Sequence, residues 1–351
     1  MTLREQALRA MSGEDATLRG AALRGALSIA APIYALGNAA RSAGFAAGLK
    51  RTHKLGRPAI SIGNLTTGGT GKTPTVAYVA RYLIGRGQRP CVLLRGYRGG
   101  DEAEEHKRLL GDAAHVEPNP DRVAAASIAL NEDPSITCFL LDDGFQHRRA
   151  RRDLDLVLID ATNPWGYGHL LPRGLMREPR SALRRADAVI VTRADQVDAA
   201  TLAKLDNDVQ RITGGDPIAH AEHAWTGLRE GEDKRLPLST LEDMSVMGVV
   251  GIGNPDAFAA TLAHHAGAVV HCEKLPDHHR YTRKQLLQLT ELAKTAGARA
   301  VVTTEKDWVK WAVLLEDESP ALPIYRAELS MRLRDGEAEL RAVLDRAVVN
   351  A

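Results

Sequence analysis

Short, continuous apolar runs recur along the first part of the chain, each followed by a polar or glycine-rich turn and then by helical spacing. The runs Ala59–Ile62, Pro90–Leu94, Thr137–Leu141, Leu154–Ile159 and Ala188–Thr192 predict strands. Several lack the alternation of a half-exposed strand, as expected where both faces of a parallel sheet are covered. Helical spacing predicts helices at Thr73–Arg86, Glu102–Leu110, Arg122–Asn131 and Pro179–Arg185. Such alternation indicates a doubly wound, mostly parallel α/β domain.

The pattern breaks at Trp225. Residues 225–244 are polar, of mixed charge and with little period, and predict a linker. A second, smaller α/β unit follows. It has strands at Ser245–Val250, Ala268–Cys272 and Ala298–Thr303, and helices at Pro255–His265, Arg283–Ala296 and Glu337–Val348. Residues 1–52 read as helical, with a kink or break expected at Pro32. The expected organisation is therefore an N-terminal helical segment over 1–52, a first domain over 53–224, the linker, and a second domain over 245–351.

The segment 25–40 carries no charge, while Arg19, Arg24, Arg41, Lys50 and Arg51 flank it. It is short for a bilayer span. A helix lying on a membrane surface and a helix packed on the domain core both fit. The acidic Glu5 argues against a secretory leader. A net charge of +2 and 4% aromatic residues argue against a dedicated nucleic-acid binder. Cys91, Cys138 and Cys272 lie far apart in apolar runs, without metal-ligand spacing, and suit a reducing compartment.

Chemistry concentrates at the ends of the predicted strands. After Ala59–Ile62 comes Thr66-Thr67-Gly68-Gly69-Thr70-Gly71-Lys72-Thr73, followed by a helix. Strand, glycine-rich turn, Gly-Lys-Thr and helix form a P-loop, whose backbone N–H groups and helix N-terminus suit phosphate. Lys72 is expected to reach the β- and γ-phosphates, and the Thr73 hydroxyl to ligate Mg²⁺. The strict pattern has Gly where Thr66 stands. The run Cys138–Leu141 ends in Asp142-Asp143, the Walker B arrangement, in which an Asp holds Mg²⁺ directly or through water. Asp101-Glu102 follows Pro90–Leu94 and reads either as a base near a substrate hydroxyl or as a favourable helix start. Asp277-His278-His279 reads as a tuned base or as a polar loop. In Arg177-Glu178 a guanidinium suits phosphate, and the carboxylate is a second metal ligand or an ion-pair partner. Thr192-Arg193-Ala194-Asp195 partially matches the element that reads guanine in GTPases, with Arg in place of Lys.

Taken in order, the stretches SIGNLTTGGTGKTP, RGYRG, DEA, LLDDGFQHRR, DLDLVLIDATNPWGYGHLLPRGLMREP, VIVTRAD, GIGNPDAF, LPDHHRYT and VVTTEKDWVKW resemble the tetraacyldisaccharide 4′-kinase (lipid A 4′-kinase) family over residues 57–311. The Thr at the first P-loop position looks normal for that family. The chain is shorter than the family pattern between Gly96 and Asp101.

The resemblance implies a P-loop NTPase fold with a second domain contributing to the cleft. It implies ATP and Mg²⁺ as cofactors and a lipid-linked disaccharide 1-phosphate as acceptor. It further implies a peripheral enzyme, expected as a monomer, on the cytoplasmic face of a Gram-negative inner membrane. Residue by residue, nucleotide binding falls on Thr66–Thr73, catalysis on Asp101, His278 and Lys72, and metal on Thr73, Asp143 and Glu178. Glu102, Asp142, His147 and Arg177 fall beside the substrate or around the site. Two other classes remain as alternatives: a P-loop GTPase or metallochaperone, and a non-catalytic nucleotide-binding module.

Overall fold

The computed structural model describes residues 3–96, 101–231, 234–276, 279–316 and 320–349. Helices α1 (Leu3–Ser12) and α2 (Leu18–Ala46) precede β1 (Ala59–Asn64), α3 (Lys72–Gly85), β2 (Pro90–Leu94), α4 (Asp101–Leu110), β3 (His115–Pro118) and α5 (Arg122–Glu132). Next come β4 (Cys138–Asp142), β5 (Leu154–Asp160), β6 (Ala188–Thr192), α6 (Ala199–Thr213), β7 (Ala219–Glu230), β8 (Lys234–Leu236), β9 (Ser245–Val250) and α7 (Pro255–His265). The chain ends with β10 (Ala268–Lys274), α8 (Arg283–Thr295), β11 (Ala300–Thr304), α9 (Glu305–Leu314), β12 (Ile324–Leu333) and α10 (Glu337–Val349). Among the described residues one compact unit holds 3–96, 109–223 and 331–349, and the other holds 101–108 and 224–330.

In the first unit the strand order is β7-β6-β5-β1-β4-β2-β3, and the pairings are parallel. β1 is buried along its whole length, with Ala59 opposite Phe139 and Ile60 opposite Leu154. Its continuous apolar run is what a central strand with two covered faces requires. One apolar cluster joins Leu55, Cys91, Phe139 and Leu141 to α5, and another joins Val157, Ile159 and Val191 to Leu205 and Val209 of α6. The chain leaves β1 through α3 to β2, yet β1 lies between β4 and β5. That reversal of strand order opens a crevice at the C-terminal ends of the strands.

Four expectations change. Pro32 does not break the N-terminal helix: α2 runs from Leu18 to Ala46, about 44 Å at the rise of an α-helix. The proline ring is exposed, so the helical hydrogen bond it removes is lost on the solvent side. Residues 225–244 are not a linker. They form the second half of β7, β8 and a 3₁₀ turn at Leu238–Leu241. Trp225, Leu228 and Leu241 are buried, while Arg229 and Arg235 pair with Glu328 and Lys234 pairs with Glu230. The mixed charge belongs to an antiparallel hairpin tied by Lys234–Glu230 within itself and by Arg229 and Arg235 to Glu328 of β12. Finally, residues 331–349 pack with the first unit, where α10 buries Leu340 and Leu344 and its Asp345 accepts from Tyr82 of α3. The helix expected at Pro179–Arg185 is a 3₁₀ turn over Arg180–Arg185.

The second unit carries β10-β9-β11-β12-β7, with β8 antiparallel on β7. Strands β9 to β12 pair in parallel.

His220 of β7 ties the first unit together. Its Nδ1 lies 2.9 Å from an Asp335 oxygen, and its Nε2 lies 3.0 Å from Asp206 of α6. Burial opposes a charge there, but the hydrogen bonds and charges of Asp206 and Asp335 outweigh it and raise the imidazole pKa. A raised folded-state pKa stabilises fully below the unfolded value of about 6.5, and the stabilisation disappears as pH rises through the folded value. His220→Asn is therefore expected to lower the thermal midpoint clearly near pH 6 and progressively less as the pH is raised into the alkaline range. A deficit that stays constant across that range in thermal unfolding would show that the imidazolium contributes nothing.

Candidate functional site

The glycine-rich loop leaves β1 at Asn64 and enters α3 at Lys72. It is fastened by its carbonyls, its side chains and the Thr67 N–H. Arg177 N–H donates to Leu65 O at 2.7 Å, and Thr67 N–H to Leu175 O at 2.8 Å. The Thr192 hydroxyl donates to Thr70 O at 3.0 Å, and the Arg193 guanidinium to Gly69 O at 2.6 Å. Asn64 Nδ2 donates to the Thr70 hydroxyl at 2.8 Å, and Gln146 Nε2 to Asn64 O at 2.8 Å. Gly71, the residue before α3, sits in the left-handed region at φ +87°, where glycine is favoured. It needs the missing side chain for a second reason: a Cβ there would collide with Nε2 of His223, at the end of the first unit's share of β7.

β4 delivers Asp142-Asp143 beside this loop, because in a parallel sheet neighbouring strands end on the same edge. Asp143 adopts φ +56°, a strained conformation for a residue with a Cβ. That turn aims its carboxylate at two cations. The Arg177 guanidinium takes both oxygens at 2.7 Å, and Lys72 Nζ stands at 3.7 Å. Burial works against ionisation, but the Arg177 hydrogen bonds and the charges of Lys72, Arg177 and Arg122 overcome it and hold the carboxyl at about 2. Arg177 also donates to Asn64 Oδ1, which lies 3.5 Å from Lys72 Nζ. The structure thus brings Lys72, Asp143 and Arg177 into one cluster, with Thr73 half-buried in the first turn of α3.

Other expected residues have their own partners. Asp142 is buried, and its carbonyl accepts from Arg122 of α5 at 3.2 Å. His147 follows the same turn. Burial first, then the charge of Arg122, lowers its pKa to about 4, so it is neutral at physiological pH. Glu178 is buried and paired with Arg185 at 2.7 Å, and the Arg185 guanidinium lies 4.4 Å from the Phe145 ring centre. The backbone of Asp101 opens α4, with Glu102 half-buried behind it. The Asp101 side chain and all of His278 lie outside the described residues. Close by in sequence, Tyr281 donates to Asp307 at 3.0 Å, and the same buried carboxylate accepts from Gly251 N–H at 3.0 Å and from the Thr304 hydroxyl at 2.9 Å. Three quoted motifs of the second unit, GIGN, LPDHHRYT and TTEKD, therefore meet at one hydrogen-bonded aspartate.

Sequence reasoning gave no role to Asn64, Gln146, Asp160 or His223. Asn64 and Gln146 lie inside the recognised stretches, but nothing in their spacing shows that they face each other. Asp160, at the end of β5, binds the Arg193 guanidinium. Arg193 is itself left-handed at φ +53° and spans Asp160 and the Gly69 carbonyl, so the partial guanine-reading element braces the loop instead. His223 is kept at about 4 by burial and by Arg193, and its Nε2 has no hydrogen-bond partner among the described residues.

A parallel sheet that feeds such a loop from its central strand, with a strand-end carboxylate facing the loop's lysine, defines a P-loop nucleoside-triphosphate-binding protein. The comparisons narrow that class. The family model described as "Tetraacyldisaccharide-1-P 4'-kinase" (LpxK) matches residues 23–349, and the chain belongs to this family. A tetraacyldisaccharide 4′-kinase of Geobacter sulfurreducens is 37% identical, over 96% of this chain and 97% of the relative. One from Anaeromyxobacter sp. (strain Fw109-5) is 39% identical, over 96% and 95%. The crystal structure of LpxK from Aquifex aeolicus in complex with ATP aligns with a TM-score of 0.72 and 27% identity, covering 93% of this chain and 99% of that one.

Gly71→Ala is expected to weaken ATP binding at least about tenfold, because an alanine there meets both the left-handed penalty and the His223 ring. The double variant with His223→Ala should regain part of the loss in a calorimetric titration. Unchanged affinity in the single variant would mean that the loop relaxes freely.

Proposed function

We propose that the protein transfers the γ-phosphoryl group of ATP to the 4′-hydroxyl of a tetraacyldisaccharide 1-phosphate. Family membership along almost the whole chain carries this reading, together with the cluster of Lys72, Asp143 and Arg177 on the loop. The guanine-reading alternative loses its support, since Arg193 is committed to Asp160 and Gly69.

In the reaction, the sugar oxygen attacks the γ-phosphorus and the bond to the β,γ-bridging oxygen breaks. ADP leaves, and the hydroxyl proton passes to a base. Lys72 and the loop N–H groups hold the phosphates in line. Arg177 balances charge on the transferring group. A bound Mg²⁺ would neutralise the β- and γ-oxygens. Thr73 and Asp143 fit that ion best, because the Asp143 carboxyl stays ionised and faces the loop lysine. Glu178, held by Arg185 as Asp143 is held by Arg177, would add a further carboxylate. Asp101, tuned by His278, is assigned as the base. Its place after the C-terminal end of β2 and the family motif support that role.

Asp101→Asn is expected to lower kcat by a hundredfold or more while leaving the KM for ATP nearly unchanged. The measurement is ATP-dependent phosphorylation of the purified disaccharide 1-phosphate in detergent micelles. Turnover close to wild type would sink the base assignment.

The acceptor's acyl chains place the reaction at a lipid surface, and α2 suits that setting. Ile29, Ile33 and Leu36 are more than 70% exposed on one stripe of the helix, whose most apolar stretch is only 6% buried. Arg19, Arg24, Lys50 and Arg51 flank it. Ile33→Asp should reduce co-sedimentation with anionic phospholipid vesicles by roughly tenfold or more. Full retention on the vesicles would place the membrane contact elsewhere.

A further inference from the structure

The face of α2 opposite the apolar stripe reaches the P-loop site. Tyr34, Asn38 and Arg41 are spaced i, i+4 and i+7 and donate to two main-chain carbonyls. The Tyr34 hydroxyl lies 3.2 Å and Asn38 Nδ2 lies 2.6 Å from Arg177 O, while the Arg41 guanidinium donates to Gln146 O. Arg177 is the residue whose side chain grips Asp143 and Asn64. Gln146 is the residue whose amide holds Asn64 O. Each contact of α2 is thus one residue removed from the cluster around Lys72.

The geometry points to Tyr34 and Asn38 as positioning residues for phosphoryl transfer, acting through Arg177. The inference rests on the kinase reading above. The segment Leu175–Arg177 runs beside the loop entry, with Thr66 opposite Met176. One edge of the segment is bound to the loop through Leu65 O and Thr67 N–H. The Arg177 carbonyl is bound to α2. Removing those donors frees the segment to rotate about its backbone, and the guanidinium at the end of a long side chain amplifies a small rotation. Catalysis on transferring phosphate depends on placement to a fraction of an ångström, so turnover is sensitive to this. One rigid helix thereby carries an apolar stripe on one side and the frame of Arg177 on the other.

The test uses the full chain with Asn38→Ala, Tyr34→Phe and their combination. With the disaccharide presented in detergent micelles, kcat should fall about tenfold for Asn38→Ala, less for Tyr34→Phe, and further for the pair. KM for the disaccharide and co-sedimentation with phosphatidylglycerol vesicles should stay at wild-type values. Asn38→Gln, which keeps the amide donor, should recover part of the rate. Amide hydrogen exchange across 170–180 should speed up in Asn38→Ala, since the Arg177 N–H bond to Leu65 O opens more often. Wild-type kcat and unchanged exchange in the double variant would overturn the inference. So would a loss seen only as weaker vesicle binding or higher KM, which would make α2 an anchor alone. Absence of phosphate transfer by the wild-type protein would instead count against the kinase reading, and the exchange measurement would still decide the role of α2.

Discussion

A loop that offers its N–H groups to phosphate has to be held by something other than those N–H groups. Here it is held largely by its carbonyls. Leu65 O, Gly69 O and Thr70 O accept from Arg177, Arg193 and Thr192 respectively. These donors come from β6 and from the segment beside the loop, and their hydrogen bonds satisfy backbone acceptors that the turn leaves without a ladder. Fastening a loop by its carbonyls leaves N–H donors for the charge that such a loop binds. The rest of the first unit follows from this constraint: parallel strands bring Thr192, Asp142 and the loop to one edge, and buried apolar runs keep those strands in register.

The charge pattern around the loop has the same logic. Lys72, Arg177, Arg122 and Arg193 gather near Asp143 and Asp160, and each carboxylate is met by a guanidinium. Asp143 pays for its place with a left-handed backbone, a conformation that costs on the order of 1–3 kcal/mol. Its neighbours hold it there through a two-pronged ion pair. A polyphosphate entering the site meets cations whose positions are already set, so little reorganisation is needed when charge shifts in the reaction.

Elsewhere, strict burial does the equivalent work. Asp307 is fully buried in the second unit and satisfied by Gly251, Tyr281 and Thr304. A buried carboxylate with three donors fixes three chain segments at once, because leaving any of them unpaired is costly. At the other end of the chain, α2 shows the opposite economy. Its stripe of Ile29, Ile33 and Leu36 stays exposed, while Tyr34 and Asn38 serve the backbone beside the loop.

Much of the strand edge was legible because its signals are local. Apolar runs bounded by turns locate β1, β2, β4, β5, β6 and β9, and Gly71-Lys72-Thr73 and Asp142-Asp143 mark where two of them end. β3 is too short, and β7 and β8 too polar, to announce themselves. Their charges make sense only once Arg229 of β7 and Arg235 of β8 meet Glu328 of β12. α6 did carry a signal, an Asp198 cap followed by Leu202, Leu205 and Val209 at helical spacing. The sequence by itself singled out candidates for phosphate and metal, since candidacy depends on residue type at short spacing. The tertiary structure alone decided that Arg177 grips Asp143, that Arg193 braces Gly69 and that α2 reaches the site. Those contacts join segments 34 to 143 positions apart, and no spacing in the chain encodes them.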